Sequence, residues 1–285
     1  MVYITGDIHG EVRRVTEMIE KYKITPEDII VILGDVGMNY YGNKRGDRHR
    51  KKKLNNHGIP ILCIHGNHEM RPETLITYRE DQWHGGNVYV EEEFPNLIFA
   101  KDGEVYDLEG TKAIVIGGAY SVDKWYRLQM DLHWFPDEQP SAEIKARVEK
   151  KLEELNWQID TVFTHTCPQT YTPTEAFLSG LDQSTVDKST EQWLDSIEKR
   201  LNYNAWYCGH WHIEKRIDKM HFLFESVETL SSPRIDSTES ATSHVPDVSM
   251  LSQEQLDAEL EKGYNDLKAG NTLNAKEVFN GIRKD

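Results

Sequence analysis

The sequence predicts an α/β fold, a sandwich of two mixed sheets flanked by helices, and three observations lead there. Short apolar runs of strand length recur along most of the chain. Two longer stretches repeat apolar residues at helical spacing instead. Five short polar motifs each stand directly after an apolar run, so their side chains meet at a sheet edge if the runs are strands.

The elements follow in order. Val2 to Thr5 is a strand, and Glu11 to Lys23 a helix with Val12, Val15, Ile19 and Tyr22 on one face. Thr25-Pro26 breaks the chain before a strand from Ile29 to Leu33, and Ile59 to Ile64 is a third apolar run. Alternating strands follow at Asn87 to Val90, Leu97 to Ala100, Glu104 to Leu108 and Lys112 to Ile116. A helix from Ser141 to Asn156 carries the stripe Ile144, Val148, Leu152 and Leu155. Asp160 to Phe163, Ala205 to Cys208, Ile213 to Ile217 and Met220 to Glu225 complete the strands. From Ser231 to Ser249 the composition turns to Ser, Thr, Pro and Asp, as in a linker. Ser252-x-x-Gln255 then reads as a capping box before Leu256, Leu260, Tyr264 and Leu267, and a second short helix is expected from Asn274.

The chain has 285 residues and a formal net charge of −15, which disfavours a duplex nucleic acid as partner because that affinity comes largely from lysine and arginine. No apolar run approaches the roughly 20 residues of a spanning helix, and the amino terminus enters a strand without the regions of a signal peptide. A cytoplasmic protein with no membrane partner is expected. Cys63, Cys167 and Cys208 form an odd set without CxxC spacing and read as small buried thiols.

The motifs are Gly6-Asp7-Ile8-His9-Gly10, Gly34-Asp35, Gly66-Asn67-His68-Glu69, Thr164-His165-Thr166 and Gly209-His210-Trp211-His212. They supply seven oxygen or imidazole ligands. Carboxylate, amide oxygen and neutral imidazole suit manganese, iron or zinc, whereas four thiolates would indicate structural zinc.

With these motifs in this order, the chain resembles the calcineurin-like metallophosphoesterase superfamily over residues 1–228. Trp83-His84-Gly85-Gly86, Ile116-Gly117-Gly118-Ala119 and the stretch from Asp123 to Pro140 are similar to a bacterial branch of it. The resemblance implies a four-layer α/β/β/α sandwich and two divalent metal ions, manganese foremost, with iron, zinc or cobalt accepted by the same ligands. It implies Asp35 as the bridging carboxylate, Asp7, His9 and His212 on one metal, and Asn67, His165 and His210 on the other. Two cations about 3.5–4 Å apart can clamp a phosphoryl group and acidify a bridging water for in-line attack. His68 is implied as the general acid, and Asn67 and His68 also face substrate. The domains expected are 1–228 catalytic, 229–250 linker and 251–285 a helical tail. That tail resembles the C-terminal part of antitoxin-like proteins and suggests a protein partner or self-association.

Gly-Asp-Ile-His-Gly and Gly-Asn-His-Glu look like the serine/threonine protein phosphatase branch. That branch has an aspartate and an arginine three and four positions after the bridging aspartate, where this chain has Met38 and Asn39. Another cation must then grip the phosphate, and Arg45 and Arg48 of the basic run 44–53, or Arg127, are the candidates. Substrates in view are a phosphorylated small molecule, a nucleotide or a phosphoprotein, with a phosphomonoester favoured. The alternatives are a phosphodiesterase for small or cyclic nucleotides and a scaffold acting through the tail. His165-Thr166-Cys167 offers a weaker nucleophilic alternative, without an orienting partner. The aromatic group Trp83, Tyr120, Trp125, Tyr126, Trp134 and Phe135 reads as core between sheets and loops more readily than as a stacking wall, and His65 as support for a ligand.

Overall fold

The computed structural model describes residues 1–42, 44–176 and 185–230, all within one unit bounded by Met1–Arg234. The expected tail, and the linker from residue 231 on, lie outside the described residues.

The first half of the chain runs β1 (Val2–Thr5), α1 (Val12–Tyr22), β2 (Ile29–Ile32), α2 (Arg45–Asn55), β3 (Ile61–Cys63), β4 (Tyr78–Trp83), β5 (Gly86–Glu91), β6 (Leu97–Ala100), β7 (Val105–Leu108) and β8 (Thr111–Ile116). The second half adds α3 (Lys124–Gln129), α4 (Ala142–Glu154), β9 (Thr161–Thr164), α5 (Ser189–Glu198), β10 (Ala205–Cys208), β11 (Lys215–Ile217), β12 (Met220–Phe222) and β13 (Val227–Thr229). One sheet has the order β13-β1-β2-β3-β6-β5-β4 and the other β11-β12-β10-β9-β8-β7. In the first, β1, β2, β3 and β6 are parallel, and in the second β8, β9, β10 and β12 are parallel. Both sheets are therefore mixed, with antiparallel strands at their margins.

Strand alternation distributes side chains over three cores. Ile29 and Val31 of β2 join Val115, Phe163 and Tyr207 between the sheets. Ile30 and Ile32, one residue along, face the other way with Val15, Met18 and Leu54 of α1 and α2. Val162 and Trp206 of the second sheet pack with Val148, Leu152, Leu194 and Ile197 of α4 and α5. This is the expected four-layer α/β/β/α sandwich.

Local chemistry explains several boundaries. Ser141 caps α4 by accepting the Ile144 N–H at 3.3 Å. The strand expected to reach Glu225 ends at Phe222 because Glu214 draws the backbone N–H groups of Phe224, Glu225 and Ser226 at 3.2, 2.7 and 2.7 Å. On α1 the buried residues are Val15 and Met18, and Tyr22 is instead exposed at the helix end. The basic run forms α2, a helix anchored by Leu54 and by the buried pair Lys51–Glu91 at 2.5 Å. Among the described residues no helix is long and apolar enough to cross a membrane.

Candidate metal centre

Each motif leaves the carboxyl end of a parallel strand: Asp7 and His9 after β1, Asp35 after β2, Asn67 and His68 after β3, His165 after β9, His210 and His212 after β10. The chain must turn back at once to aim these side chains along the strand ends. His9, Asp35, His210 and His212 accordingly have φ of 46°, 44°, 64° and 50°, in the left-handed region that non-glycine residues seldom adopt. Four of the seven candidate ligands thus sit at sharp turns directly after their strands. Gly34, at φ 100°, has room for no side chain, since a Cβ there would strike the His165 ring. A Cβ at Gly66 or Gly209 would likewise strike the Asp35 or Asp7 carboxylate.

Two clusters form around the carboxylates. In one, Asp7 Oδ2 lies 3.2 Å from His212 Nε2 and 3.9 Å from His9 Nε2, while the two imidazole nitrogens are 3.0 Å apart. In the other, Asn67 Oδ1 lies 2.8 Å from His165 Nε2 and 3.0 Å from His210 Nδ1, and His165 Nε2 is 3.6 Å from Asp35 Oδ1. Asp35 Oδ2 faces back toward the first cluster, 3.9 Å from His9 Nδ1. Ligands about 2.1 Å from a common cation at tetrahedral or octahedral angles stand roughly 3.0–3.4 Å apart, and several of these separations are close to that range. Asp7 Oδ2 is buried and accepts no aligned hydrogen bond. A buried carboxylate oxygen without a donor is unfavourable, and a cation would satisfy it. Asp7, His9 and His212 can present their ligand atoms to one ion, as can Asp7, Asp35 and His165. The residues present therefore fit divalent metal.

Electrostatics agree. Burial opposes ionisation of Asp7, yet the imidazoles of His165, His212 and His9 outweigh it and hold the carboxyl below its usual range. Burial and then His165 depress His210 to about 3, so its ring is neutral and keeps a lone pair for a metal.

A supporting layer aims the ligands. His165 Nδ1 donates to the Leu33 carbonyl at 2.8 Å, which leaves Nε2 as the free acceptor. Asn67 Nδ2 donates to Ser121 Oγ at 2.9 Å, the Ser121 hydroxyl donates to Glu138 at 2.5 Å, and Trp134 Nε1 donates to the same carboxylate at 2.9 Å. This chain of bonds turns the Asn67 oxygen toward His165 and His210. Glu69 accepts the N–H groups of Val36 and Gly37 at 3.0 and 3.2 Å and so clamps the Asp35 loop. Burial, with the Asp35 charge, pushes the Glu69 carboxyl up to about 8. Arg14 ties the first motif to the end of β12 by donating to the carbonyls of Gly6 and Phe224 at 3.1 and 2.7 Å. Sequence reasoning passed over Ser121, Glu138 and Arg14; only their proximity in space reveals them. Ser121→Ala frees the Asn67 amide to rotate, and metal affinity is expected to fall about 10–100-fold with the fold retained, measured by metal titration of the stripped protein.

The remaining candidates separate. Arg48 is paired with Glu93 at 2.6 Å, and Arg45 lines with it a groove of about 820 Å³ that includes none of the seven ligands. From the same helix it is Arg50 whose guanidinium lies over Gly10, within the first motif. Arg127 approaches His68, its Nη2 lying 3.5 Å from His68 Nε2. Met38 and Asn39 are fully buried, and the Asn39 Oδ1 accepts the Tyr78 hydroxyl at 3.0 Å. The aromatic group divides, with Tyr120 and Phe135 buried and Trp125 and Tyr126 exposed. His65 is buried under the Gly117-Gly118 turn, whose Gly118 N–H donates to its carbonyl at 2.8 Å, and its ring makes no hydrogen bond to a ligand candidate. The three cysteines are buried and unpaired, and burial pushes the Cys167 thiol far up, away from a nucleophile's range.

The sequence profile of the calcineurin-like phosphoesterases matches residues 1–214. No curated protein sequence is significantly similar to the chain. Among solved structures, TT1561 of Thermus thermophilus is 14% identical at a TM-score of 0.41, over 73% of this chain and 80% of that one. The sulfate thiohydrolase SoxB of Thermus thermophilus, solved with glycerol, is 11% identical at a TM-score of 0.30, over 76% of this chain and 37% of that one.

Proposed function

Because the chain belongs to the calcineurin-like phosphoesterase family of metal-dependent hydrolases, we propose that it is a dinuclear phosphomonoesterase in which His68 protonates the leaving oxygen. One observation carries the reading: two groups of ligands, Asp7 with His9 and His212, and Asn67 with His165 and His210, lie on either side of Asp35. Two divalent cations held there, manganese foremost, would polarise the phosphoryl oxygens and lower the pKa of an attacking water. Asp35 would join the two halves. Its Oδ1 also accepts the His68 backbone N–H at 2.8 Å, so the carboxylate that would bridge also orients the main chain of the proposed acid.

His68 follows the candidate ligand Asn67 directly and is not one of the seven ligands that the family resemblance implies. Its side chain is 18% exposed, with Nε2 3.9 Å from Asp35 Oδ2. That position suits a proton donor at the mouth of the site better than a ligand inside it. The assignment of residues 1–228 to catalysis, 229–250 to a linker and 251–285 to an appended tail belongs to the same reading.

The test is hydrolysis by the full chain after chelator stripping and reloading with manganese. The substrates are an aryl phosphate, an aryl phosphodiester, a phosphopeptide and cyclic nucleotides. Turnover of a monoester only in the reloaded protein is expected. Diester turnover alone would replace the reading with a phosphodiesterase, and silence on every substrate with metal bound would sink the hydrolase altogether.

A further inference from the structure

A site for a phosphate dianion needs a cation aimed at the non-ester oxygens, and the two positions beside Asp35 that could have held one, Met38 and Asn39, are sealed in the core. Near the ligands, the described arginines differ in what remains free. Arg14 spends Nη2 on the carbonyls of Gly6 and Phe224. Arg48 is neutralised by Glu93, and Arg50 lies over the Tyr41 ring, 5.8 Å from its centroid, with Asp47 at 3.9 Å. Arg127 is different. Its Nε donates to Asp123 Oδ2 at 2.8 Å and its Nη1 to the His133 carbonyl at 3.2 Å, so the guanidinium is fixed on two sides. Its Nη2 extends to within 3.5 Å of His68 Nε2, and the side chain is only 16% exposed.

Resting on the hydrolase reading above, we propose that Arg127 grips the substrate phosphate beside His68, and that Asp123 is the positioning residue that holds it there. The pair sits one helical turn apart, at i and i+4 across the start of α3, which puts carboxylate and guanidinium on one helix face. Both come from the segment between β8 and α4. Nη2 lies within hydrogen-bond reach of His68 Nε2, so a phosphate oxygen bound between them would take the place of that contact. An oxygen placed there would receive a charge-assisted bond from Arg127 while the imidazole addresses the adjacent leaving oxygen. A fixed fork loses little rotamer freedom on binding, and a lysine ammonium could not reproduce two anchored bonds and a third directed one.

The experiment compares Arg127→Ala, Arg127→Lys and Asp123→Asn with the native full chain, all loaded with manganese. Three readouts are taken: metal content, inorganic phosphate affinity by calorimetry, and kcat and KM on two aryl phosphates of different leaving-group acidity. Arg127→Ala is expected to keep its metal and to weaken phosphate binding roughly 10–100-fold, the scale of one hydrogen bond to a charged group. Its kcat/KM should fall by a similar factor on both aryl phosphates, since the lost contact is to the phosphoryl oxygens. Arg127→Lys should recover part of the affinity, and Asp123→Asn should fall between Arg127→Lys and the native chain. Phosphate affinity within twofold of native in Arg127→Ala overturns the proposal. If that variant does not fold, native phosphate affinity in Arg127→Lys overturns it instead, because the lysine cannot keep the fork. Phosphate binding needs no turnover, so a chain silent on every substrate would defeat the hydrolase reading and still leave this test standing.

Discussion

Asp35→Asn is expected to lose both metal occupancy and turnover, the latter by at least about 10³-fold, since it removes a proposed bridging ligand rather than one of the outer partners whose loss costs roughly 10–100-fold. The carboxylate is 2% exposed. Oδ1 is 3.6 Å from His165 Nε2 and accepts the His68 N–H, while Oδ2 lies 3.9 Å from both His9 and His68. An amide offers one acceptor oxygen in place of a carboxylate's two and would lack the charge that balances bound cations. Without metal, the substitution should also cost stability. Burial and Asp7 oppose ionisation of Asp35, yet the imidazoles of His165, His68 and His9 outweigh them and hold the carboxyl below its usual range. Removing that charge should leave the stripped variant less stable than the stripped native chain. Adding manganese should then raise the melting temperature of the native chain alone, because only a state that binds the ion gains by mass action, about 2.7 kcal/mol at one hundred times Kd. Metal analysis, melting with and without manganese, and turnover check the three parts. Full metal-dependent turnover in Asp35→Asn would remove the bridge from the mechanism.

The site was legible in the sequence because its candidate ligands occupy strand ends. Parallel pairing of β1, β2 and β3, and of β9 and β10, brings their carboxyl ends into line, so a motif directly after an apolar run had only one place to go. Glycines within the motifs leave room for the neighbouring side chains, Gly34 for the His165 ring and Gly66 and Gly209 for the Asp35 and Asp7 carboxylates. Residues that act through space were not legible. Ser121 and Glu138 lie far along the chain from Asn67, and no local pattern marks them. The basic run illustrates a phase problem. Arg45, Arg48 and Arg50 are equivalent by composition, but once Leu54 and Lys51 fix the buried face of α2, Arg50 reaches Gly10 and Arg48 reaches Glu93. Strand β4, with the sequence Tyr-Arg-Glu-Asp-Gln-Trp, lacks the β-branched residues that signal a strand, and it forms because β5 pairs along its whole length. Helix α3 buries none of its residues, so no apolar stripe announced it.

His68→Ala separates acid catalysis from metal chemistry. The ring is not one of the proposed ligands, and the 2.8 Å bond to Asp35 comes from its backbone N–H. The alanine variant should therefore bind manganese as the native chain does. Turnover should fall by about 10²–10⁴ on an alkyl phosphate, the usual worth of a positioned general acid. The loss must depend on the leaving group. An acidic phenol departs as a stable anion and needs little help, so its ester should lose far less than an alkyl ester whose alkoxide must be protonated as the bond breaks. Arg127, 3.5 Å from the same ring, provides the contrast, since its loss is expected to be nearly independent of the leaving group. A ring that only packed against His9, whose centroid is 5.7 Å away, would on removal slow every substrate alike or change none. Rates of His68→Ala plotted against leaving-group pKa should thus be steeper than those of the native chain. Equal slopes would deny His68 its proton, even if the variant were slow.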